Sequence, residues 1–293
     1  MAKRERRKNL KMQTNDVLQS LCKFGQSKHQ AKKEGTASEG IYSYETYHTY
    51  QQQCHRFCDW VRDGYPGTKM LSDARQYVDS YLQSMIDSDM SPFTIKTAAS
   101  ALAKLYQCRT TDFIKTPARN RANITRSRGR AVRDQNFDEN SPENARLVRF
   151  CKACGLRRSE LRVLRGSWYI ENPDGTAYID LAHTSATKGG RPRTVPILPE
   201  DIEFVRKMCR VAGDDKVFPV VNENADVHSY RACYCRRLYD YHCPDITKMA
   251  RKELYYCQKD KAGIVYHRDT LRICSEALGH SGISIIPSNY LHE

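Results

Sequence analysis

The residues best able to act on a substrate are basic side chains in polar segments, each at the edge of a predicted helix or strand. They are Arg157, Lys188, His228, Arg231 and His280. Arginine presents a rigid fork of N–H donors that matches the oxygens of a phosphate group. Lysine and histidine can bind the same kind of group or transfer a proton to it. Together, these residues could hold a phosphate and act on it.

Each residue on its own also has a purely structural explanation. Arg157 can form a surface ion pair with Glu160, and Lys188 can be an exposed loop lysine. His280 can hydrogen-bond the last carbonyl groups of a helix. Tyr290, ten residues after His280, is one of 18 tyrosines. A functional assignment therefore depends on the whole set and its order along the chain, and not on any single residue.

Several common catalytic signatures do not occur in the sequence. There is no phosphate loop of the Gly-x-x-x-x-Gly-Lys-Ser/Thr kind and no His-Glu-x-x-His zinc motif. Two short cysteine spacings, Cys151 with Cys154 and Cys233 with Cys235, lie in predicted helices, and neither has an obvious partner pair to complete a zinc site. We therefore expect no cofactor and no metal, and we expect the 12 cysteines to be reduced.

The composition favours a cytoplasmic (nucleoid-associated) protein that binds a polyanion. No apolar run approaches the roughly 20 residues of a membrane span, and no apolar segment follows the charged N-terminus. The net charge is +14; residues 1–36 hold ten Lys or Arg against three Asp or Glu, and residues 109–135 hold eight against two. Concentrated positive charge is typical of nucleic-acid binding, although solvated basic stretches would show the same pattern.

The chain divides by composition into four parts. We expect a basic leader at 1–40, a helical domain at 41–108, a basic linker at 109–135 and a mixed domain at 136–293. The linker has few large apolar residues and is rich in arginine, which suits contacts to a phosphate backbone. The linker arginines that we expect to bind DNA are Arg119, Arg121, Arg126, Arg128, Arg130 and Arg133.

Helical periodicity dominates the segment 41–108. Apolar residues recur at spacings of three and four from Tyr47 to Val61, which indicates one face of a helix. Ser72 is the expected N-cap of a second helix, and Ser91-Pro92 opens a third with proline at its first position. This segment is therefore expected to be a small helical bundle.

The mixed domain combines helices with a small sheet. Ser141-Pro142 opens a helix that ends at Gly155, and Ser159 is the expected cap of the next short helix. Strand-like runs between residues 168 and 197 predict a three-stranded antiparallel sheet with Lys188 at a hairpin tip. The remaining expected elements are helices at 199–211, 228–241 and 269–278 and a hairpin at 255–267. The expected fold class is α+β and mainly helical.

The order of the candidate residues resembles the motif order of the tyrosine recombinase (phage integrase) family. That family has an arginine box, a hairpin lysine followed by a strand, a His-x-x-Arg box, a Leu-Gly-His box and a nucleophile segment. Here these are Gly155-Leu-Arg-Arg-Ser-Glu-Leu161, Lys188 with Arg193-Thr-Val-Pro-Ile197, His228-Ser-Tyr-Arg231, Leu278-Gly-His280 and Asn289-Tyr290-Leu-His292. Residues 41–108 resemble the family's SAM-like core-binding domain, so the resemblance covers about 41–293.

The resemblance implies an enzyme that breaks and rejoins DNA without ATP. Tyr290 would attack the scissile phosphorus, form a 3′-phosphotyrosyl bond and release a 5′-hydroxyl. Arg157 and Arg231 would offset the charge on the non-bridging oxygens. The covalent bond would retain the energy of the broken phosphodiester, so a 5′-hydroxyl from a second duplex could reverse the step.

The resemblance also assigns the remaining residues. Lys188 would be the general acid for the leaving 5′-oxygen. His280 would hydrogen-bond the phosphate, and His228 would accept a proton or orient the phosphate. Glu160 would hold the first arginine box in place.

The partners that the resemblance implies are double-stranded DNA attachment sites, held by four protomers on two sites, with an accessory directionality factor. The two domains would grip opposite faces of the duplex. The expected role is integration and excision of a mobile element. The alternatives are resolution of chromosome or plasmid multimers by the same chemistry, a type IB topoisomerase, and a DNA-binding protein with a decayed active site.

The interval between Arg231 and Gly279 is long for this family. The surplus lies at about 243–267, and we predict that it is an insertion near the active site that contacts DNA or a neighbouring subunit. Its tyrosines are alternative nucleophiles, although they precede the Leu-Gly-His box. They are Tyr255, Tyr256 and Tyr266.

Overall fold

The computed structural model describes the chain apart from its two ends and five internal gaps. The described residues are 8–119, 137–182, 184, 186–187, 192–258 and 261–291. The chain divides into two compact units, Met1–Ile124 and Thr125–Glu293. Within the described ranges, no helix combines the length and the apolar character needed to span a bilayer.

The first unit is built from helices. They are α1 (Leu10–Ser20), α2 (Lys28–Lys33), α3 (Tyr44–Gly64), α4 (Leu71–Ala74), α5 (Val78–Asp87) and α6 (Pro92–Leu105). Polar N-caps start several of them, because a side-chain oxygen satisfies an N–H group that has no partner within the helix. Ser43 caps α3 in this way, and Ser91 caps α6 with Pro92 at the first helical position, as predicted.

The core of the first unit lies mainly between α3 and α6. Phe57 and Val61 from α3 and Leu102 from α6 are fully buried in it. Leu10 and Leu18 of α1 belong to the same core. Part of the segment expected to be a basic leader is therefore packed into the helical bundle, because its apolar residues cover the α3 surface.

The prediction that Ser72 caps the second helix was wrong. Helix α4 begins one residue earlier, at Leu71, and a single 3-10 turn at Arg75–Tyr77 separates it from α5. The side chain of Gln13 in α1 accepts the Leu71 N–H at 2.9 Å. A side chain from a distant helix therefore satisfies one of the N–H groups that have no partner within α4.

The second unit combines helices with two small sheets. Its helices are α7 (Pro142–Cys154), α8 (Arg158–Leu161), α9 (Pro199–Ala212), α10 (Val227–His242), α11 (Arg268–Ala277) and α12 (Ile285–Asn289). Its strands are β1 (Tyr169–Glu171), β2 (Ala177–Asp180), β3 (Thr194–Ile197), β4 (Leu254–Tyr256) and β5 (Val265–His267). The predicted three-stranded antiparallel sheet is confirmed, with the order β1-β2-β3, and β4 pairs with β5 as the predicted hairpin.

The core of the second unit forms where α10 packs against α7 and α11. Phe150, Tyr234, Leu238 and Cys274 are fully buried there. Gly155 ends α7 with a left-handed φ of +55°, as predicted. These elements confirm the mainly helical α+β fold class, and they bring the C-terminal end of α7, the start of α10 and the C-terminal end of α11 to one side of the core.

Candidate functional site

Tyr290 lies directly after α12 and is 5% exposed. Its hydroxyl oxygen is 2.9 Å from Nε2 of His280 and accepts a hydrogen bond from Nε of Arg231 at 3.4 Å. The Arg231 guanidinium carbon lies 5.6 Å from the centre of the Tyr290 ring. The phenol is therefore held between two basic side chains that are far from each other along the sequence.

Arg231 is a buried cation on α10, with 2% exposure. Its terminal nitrogens donate to the carbonyl oxygens of Gly155 and Leu278. Burial lowers the pKa of Arg231 to about 10, and the nearby Tyr290 partly opposes that shift. The side chain is therefore still charged at neutral pH, and the two carbonyl groups fix its direction.

Arg157 is the residue directly before α8. One of its terminal nitrogens donates to the carbonyl oxygen of Leu278 at 2.8 Å, and the other donates to Oε1 of Glu160 at 2.9 Å. Both site arginines therefore bind the same carbonyl group, that of Leu278. Backbone oxygens and one carboxylate hold these two positive charges close together at the end of α11.

Glu160 is fully buried and orients the arginines. Its Oε2 accepts the Arg157 backbone N–H at 2.7 Å, and its two oxygens accept both terminal nitrogens of Arg193 at 2.7 and 2.8 Å. Burial alone would raise the pKa of Glu160, but the hydrogen bonds and charges of Arg193 and Arg157 lower it to about 2. The carboxylate is therefore ionised at neutral pH. Because it accepts the N–H of Arg157 directly before α8, it caps this helix, and the prediction that Ser159 is the cap was wrong. The Ser159 hydroxyl instead donates to the carbonyl oxygen of Ala186 at 3.1 Å.

Sequence reasoning did not select Arg193 as a site residue. Its Nε donates to the carbonyl oxygen of Ala277 at 3.0 Å, so it joins Glu160 to the end of α11. Gly279 has a left-handed φ of +64°, and a Cβ placed there would lie 3.0 Å from Cδ of Arg193. The burial of Glu160 is a property of the fold, so no pattern in the sequence indicated that it would bind a second arginine.

The two histidines flank the phenol. His280 follows Gly279, and its backbone N–H donates to the carbonyl oxygen of Ser275 at 2.8 Å. His228 is in the first turn of α10, where Asp226 caps the helix, and its ring centre is 5.2 Å from that of Tyr290. The structure therefore brings Arg157, His228, Arg231, His280 and Tyr290 together.

The remaining predicted site residues are not part of this cluster or lie outside the described residues. Lys188 lies outside the described residues, so its position stays a prediction. Among the linker arginines, Arg119 is described, with its guanidinium 5.6 Å from the centre of the Phe93 ring. The other linker arginines lie outside the described residues; they are Arg121, Arg126, Arg128, Arg130 and Arg133.

The alternative tyrosines lie on the β4–β5 hairpin. Tyr255 and Tyr256 belong to β4, and Tyr256 is 48% exposed. Tyr266 belongs to β5, and its hydroxyl donates to the carbonyl oxygen of Leu291 at 3.4 Å. The hairpin therefore approaches the segment that carries Tyr290. In the described contacts, however, the hydroxyl that meets Arg231 and His280 is that of Tyr290 and not that of a hairpin tyrosine.

The arrangement can bind an anion and present a nucleophile to it. Each guanidinium has five N–H donors. The protein contacts described for Arg157 and for Arg231 use fewer than five, so each side chain can also donate to a bound anion. A phosphate oxygen bound there would lie near the hydroxyl of Tyr290. Among the described residues, no group of three or more His, Cys, Asp or Glu side chains could hold a metal ion.

Comparison with known proteins identifies the fold through solved structures. No protein-family profile matches the chain, and no curated protein matches it. The XerH site-specific recombinase bound to palindromic difH substrate in a post-cleavage complex matches with a TM-score of 0.54 and 14% identity, over 97% of this chain and 91% of that chain. Its pre-cleavage complex with difH substrate matches with a TM-score of 0.55 and 15% identity, over 99% and 95%. The chain therefore has the tyrosine recombinase fold.

Proposed function

We propose that this protein breaks and rejoins DNA at specific sites through a 3′-phosphotyrosyl bond to Tyr290. The observation that carries the proposal is the position of the Tyr290 hydroxyl, 2.9 Å from His280 Nε2 and 3.4 Å from Arg231 Nε. A phenol is a weak nucleophile until it is positioned and deprotonated, and adjacent basic groups favour both. The similar XerH structures contain that protein's DNA substrate, which supports DNA as the partner here.

In the cleavage step, Arg157, Arg231 and His280 would bind the non-bridging oxygens of the scissile phosphate. Positive charge aimed at these oxygens stabilises the charge that develops in the transition state. Tyr290 Oη then forms a bond to phosphorus while the bond from phosphorus to the 5′-oxygen breaks. The phenolic proton passes to a base, and we assign that role to His228, whose ring centre lies 5.2 Å from that of Tyr290.

The leaving 5′-oxygen needs a proton, and we assign that role to Lys188, which lies between β2 and β3 in the sequence. A 5′-hydroxyl from a second duplex then attacks the phosphotyrosyl bond and releases Tyr290. Because the covalent intermediate conserves the phosphodiester, the cycle needs no ATP and no other cofactor.

For the whole protein, we propose integration and excision of a mobile element, performed by four protomers on two attachment sites with an accessory directionality factor. The segments 41–108 and 136–293 would act as the core-binding and catalytic domains. The linker arginines between them would contact the DNA backbone. This proposal rests on the fold, on the site and on the two concentrations of basic residues.

The experiment that tests the reaction is covalent trapping on a nicked suicide duplex, which loses its 5′-hydroxyl strand by diffusion after cleavage. The duplex carries a site recovered by selection for binding to this protein. The wild type should give a DNA-linked band on a denaturing gel, and Tyr290→Phe should give none, because phenylalanine has no hydroxyl. Tyr256→Phe is the matched control and should give the wild-type band. A band that survives Tyr290→Phe, or no band for a wild type that binds the duplex, would contradict the proposal.

A further inference from the structure

The described part of the β4–β5 hairpin lies against the segment that carries Tyr290. It belongs to the long interval between Arg231 and Gly279, which the proposed reaction leaves without a role. The side chain of Lys261, in the turn, donates from Nζ to the carbonyl oxygen of Pro287 at 2.6 Å and to that of Leu291 at 2.7 Å. These two acceptors lie on either side of Tyr290 in the sequence.

The segment that Lys261 binds is short and cannot hold its own position. Helix α12 has five residues, Ile285–Asn289, and contains Pro287, which lacks an N–H donor. A helix of this length is not stable by itself, so tertiary contacts decide where it lies. The Tyr290 N–H still bonds to the carbonyl oxygen of Ile286 at 3.0 Å, and therefore the position of α12 sets the position of the phenol.

The hairpin is in turn attached to the helix that carries Arg231. The backbone N–H of His267 donates to the hydroxyl of Tyr239 on α10 at 2.7 Å. The rings of Tyr239 and Tyr266 pack edge to face, with their centres 5.4 Å apart. A continuous set of contacts therefore runs from α10 through the hairpin and Lys261 to the chain on both sides of Tyr290.

We propose that Lys261 is a positioning residue that fixes the Tyr290 hydroxyl beside Arg231 and His280. The ammonium group makes charge-assisted hydrogen bonds to two carbonyl groups, and a neutral side chain of the same length cannot replace them. The insertion is thus a brace for the nucleophile of its own chain. This inference rests on the proposed function and deepens it.

The first test separates DNA binding from cleavage. Lys261→Met keeps the apolar length of the side chain and removes its donors, while Lys261→Arg keeps a charged donor. The control is Lys248→Met, in the same insertion, where the lysine side chain is 85% exposed and pairs with Asp245. We would measure the Kd for the suicide duplex and, at saturating protein, the single-turnover rate of adduct formation.

Lys261→Met should slow adduct formation by about tenfold or more with an unchanged Kd, because a displacement of a reacting group by about 1 Å can cost roughly 100-fold. Lys261→Arg should recover most of the rate, and Lys248→Met should match the wild type. Adduct formation by Lys261→Met at the wild-type rate would overturn the proposal, as would a loss of rate that is fully explained by a weaker Kd.

A duplex with sulfur in place of the bridging 5′-oxygen separates positioning from acid catalysis. A thiolate leaves without a proton far more readily than an alkoxide, so this substrate relieves the loss of a general acid. The defect of Lys261→Met should persist on the sulfur duplex. Recovery of the wild-type rate there would show that Lys261 protonates the leaving group, which overturns the positioning role.

Hydrogen exchange tests the brace without any activity. The Tyr290 and Leu291 amides both donate to Ile286, and they should exchange faster in Lys261→Met than in Lys248→Met. Amides of α7 serve as the reference for global stability. Unchanged exchange at Tyr290 and Leu291 would refute the brace even in a protein that proves inactive. A wild type that shows the brace but forms no adduct would instead refute the proposed function.

Discussion

At the scale of single residues, the buried carboxylate of Glu160 organises the candidate site. It binds the Arg157 backbone and the guanidinium groups of Arg157 and Arg193. Ion pairs at a surface contribute little to stability, whereas a fully buried carboxylate cannot lose its partners without a large cost. The network therefore controls both the stability of the second unit and the direction in which Arg157 points.

The pKa of Glu160, lowered from 4.5 to about 2, predicts how stability depends on pH. Because the folded-state pKa lies below the unfolded one, the carboxylate stabilises the fold above about pH 4.5, and this contribution disappears as the pH falls towards 2. Glu160→Gln should lower the free energy of unfolding by about 3 kcal/mol near pH 7 and make its decline between pH 5 and pH 2 shallower. Denaturant titrations at a series of pH values measure both effects.

Glu171→Gln is the control for that experiment. The pKa of Glu171 is also lowered, by its hydrogen bond to Arg206, but this carboxylate is much more exposed than Glu160. Because solvent screens its charge, Glu171→Gln should change both stability and the pH profile less than Glu160→Gln does. Parallel pH profiles for Glu160→Gln and the wild type would show that Glu160 does not carry the depressed pKa.

At the scale of elements, the end of α7 places the arginine box against α10. Gly155 adopts φ +55°, and a Cβ there would lie 2.2 Å from Cδ1 of Tyr234, which is fully buried. Its carbonyl oxygen also accepts a hydrogen bond from Arg231. One glycine therefore ends a helix, allows α10 to approach closely and directs a site arginine.

Gly155→Ala should destabilise the fold through both the left-handed backbone and the clash with Tyr234. The expected loss is about 3 kcal/mol, because a left-handed backbone costs an alanine roughly 1–2 kcal/mol and overpacking of a core costs about 1–3 kcal/mol. Gly175→Ala is the matched control, since Gly175 has φ +83° but no atom within 4 Å of the place that a Cβ would occupy. Gly175→Ala should lose only the backbone contribution, roughly 1–2 kcal/mol. If chemical denaturation shows the same loss in the free energy of unfolding for both variants, the close approach to Tyr234 does not contribute to the loss.

At the scale of the whole molecule, Tyr290 is able to reach the site residues of its own chain. Its hydroxyl is beside Arg231 and His280 of the same polypeptide, and Lys261 of that polypeptide binds the backbone on either side of it. We therefore expect each protomer of an assembly on DNA to cleave with its own tyrosine. The alternative is that a protomer donates its tyrosine to the site of a neighbour.

Mixing two inactive variants distinguishes these arrangements. Tyr290→Phe lacks the nucleophile, and Arg231→Lys lacks the forked donors that hold the phosphate. If cleavage occurs within one chain, no protomer in the mixture has a complete site, and the suicide-duplex assay should show no adduct. Adduct formation by the mixture alone would establish exchange of the tyrosine between subunits. Each variant mixed with wild type serves as the control for assembly.

Local signals in the sequence were sufficient for most elements of the fold. The alternating residues of β2 and the Asn172-Pro-Asp-Gly175 turn specify a hairpin within a few residues, and Ser141-Pro142 specifies the start of α7. Helix α12 was not predicted, because five residues that include Pro287 show no helical periodicity. The starts of α4 and α8 were misplaced because Gln13 and Glu160, and not the nearest serines, satisfy the first N–H groups.

The residue types available for chemistry and their order along the chain can be read from the sequence, since motif spacing and charge are properties of the chain alone. The fold, in contrast, determines that the Leu278 carbonyl accepts from both Arg157 and Arg231, which are 121 and 47 residues away from it. It also determines that Arg193 neutralises Glu160 and that Lys261 holds the Tyr290 segment. Such contacts depend on how helices pack, and packing depends on shape and burial that no local pattern records.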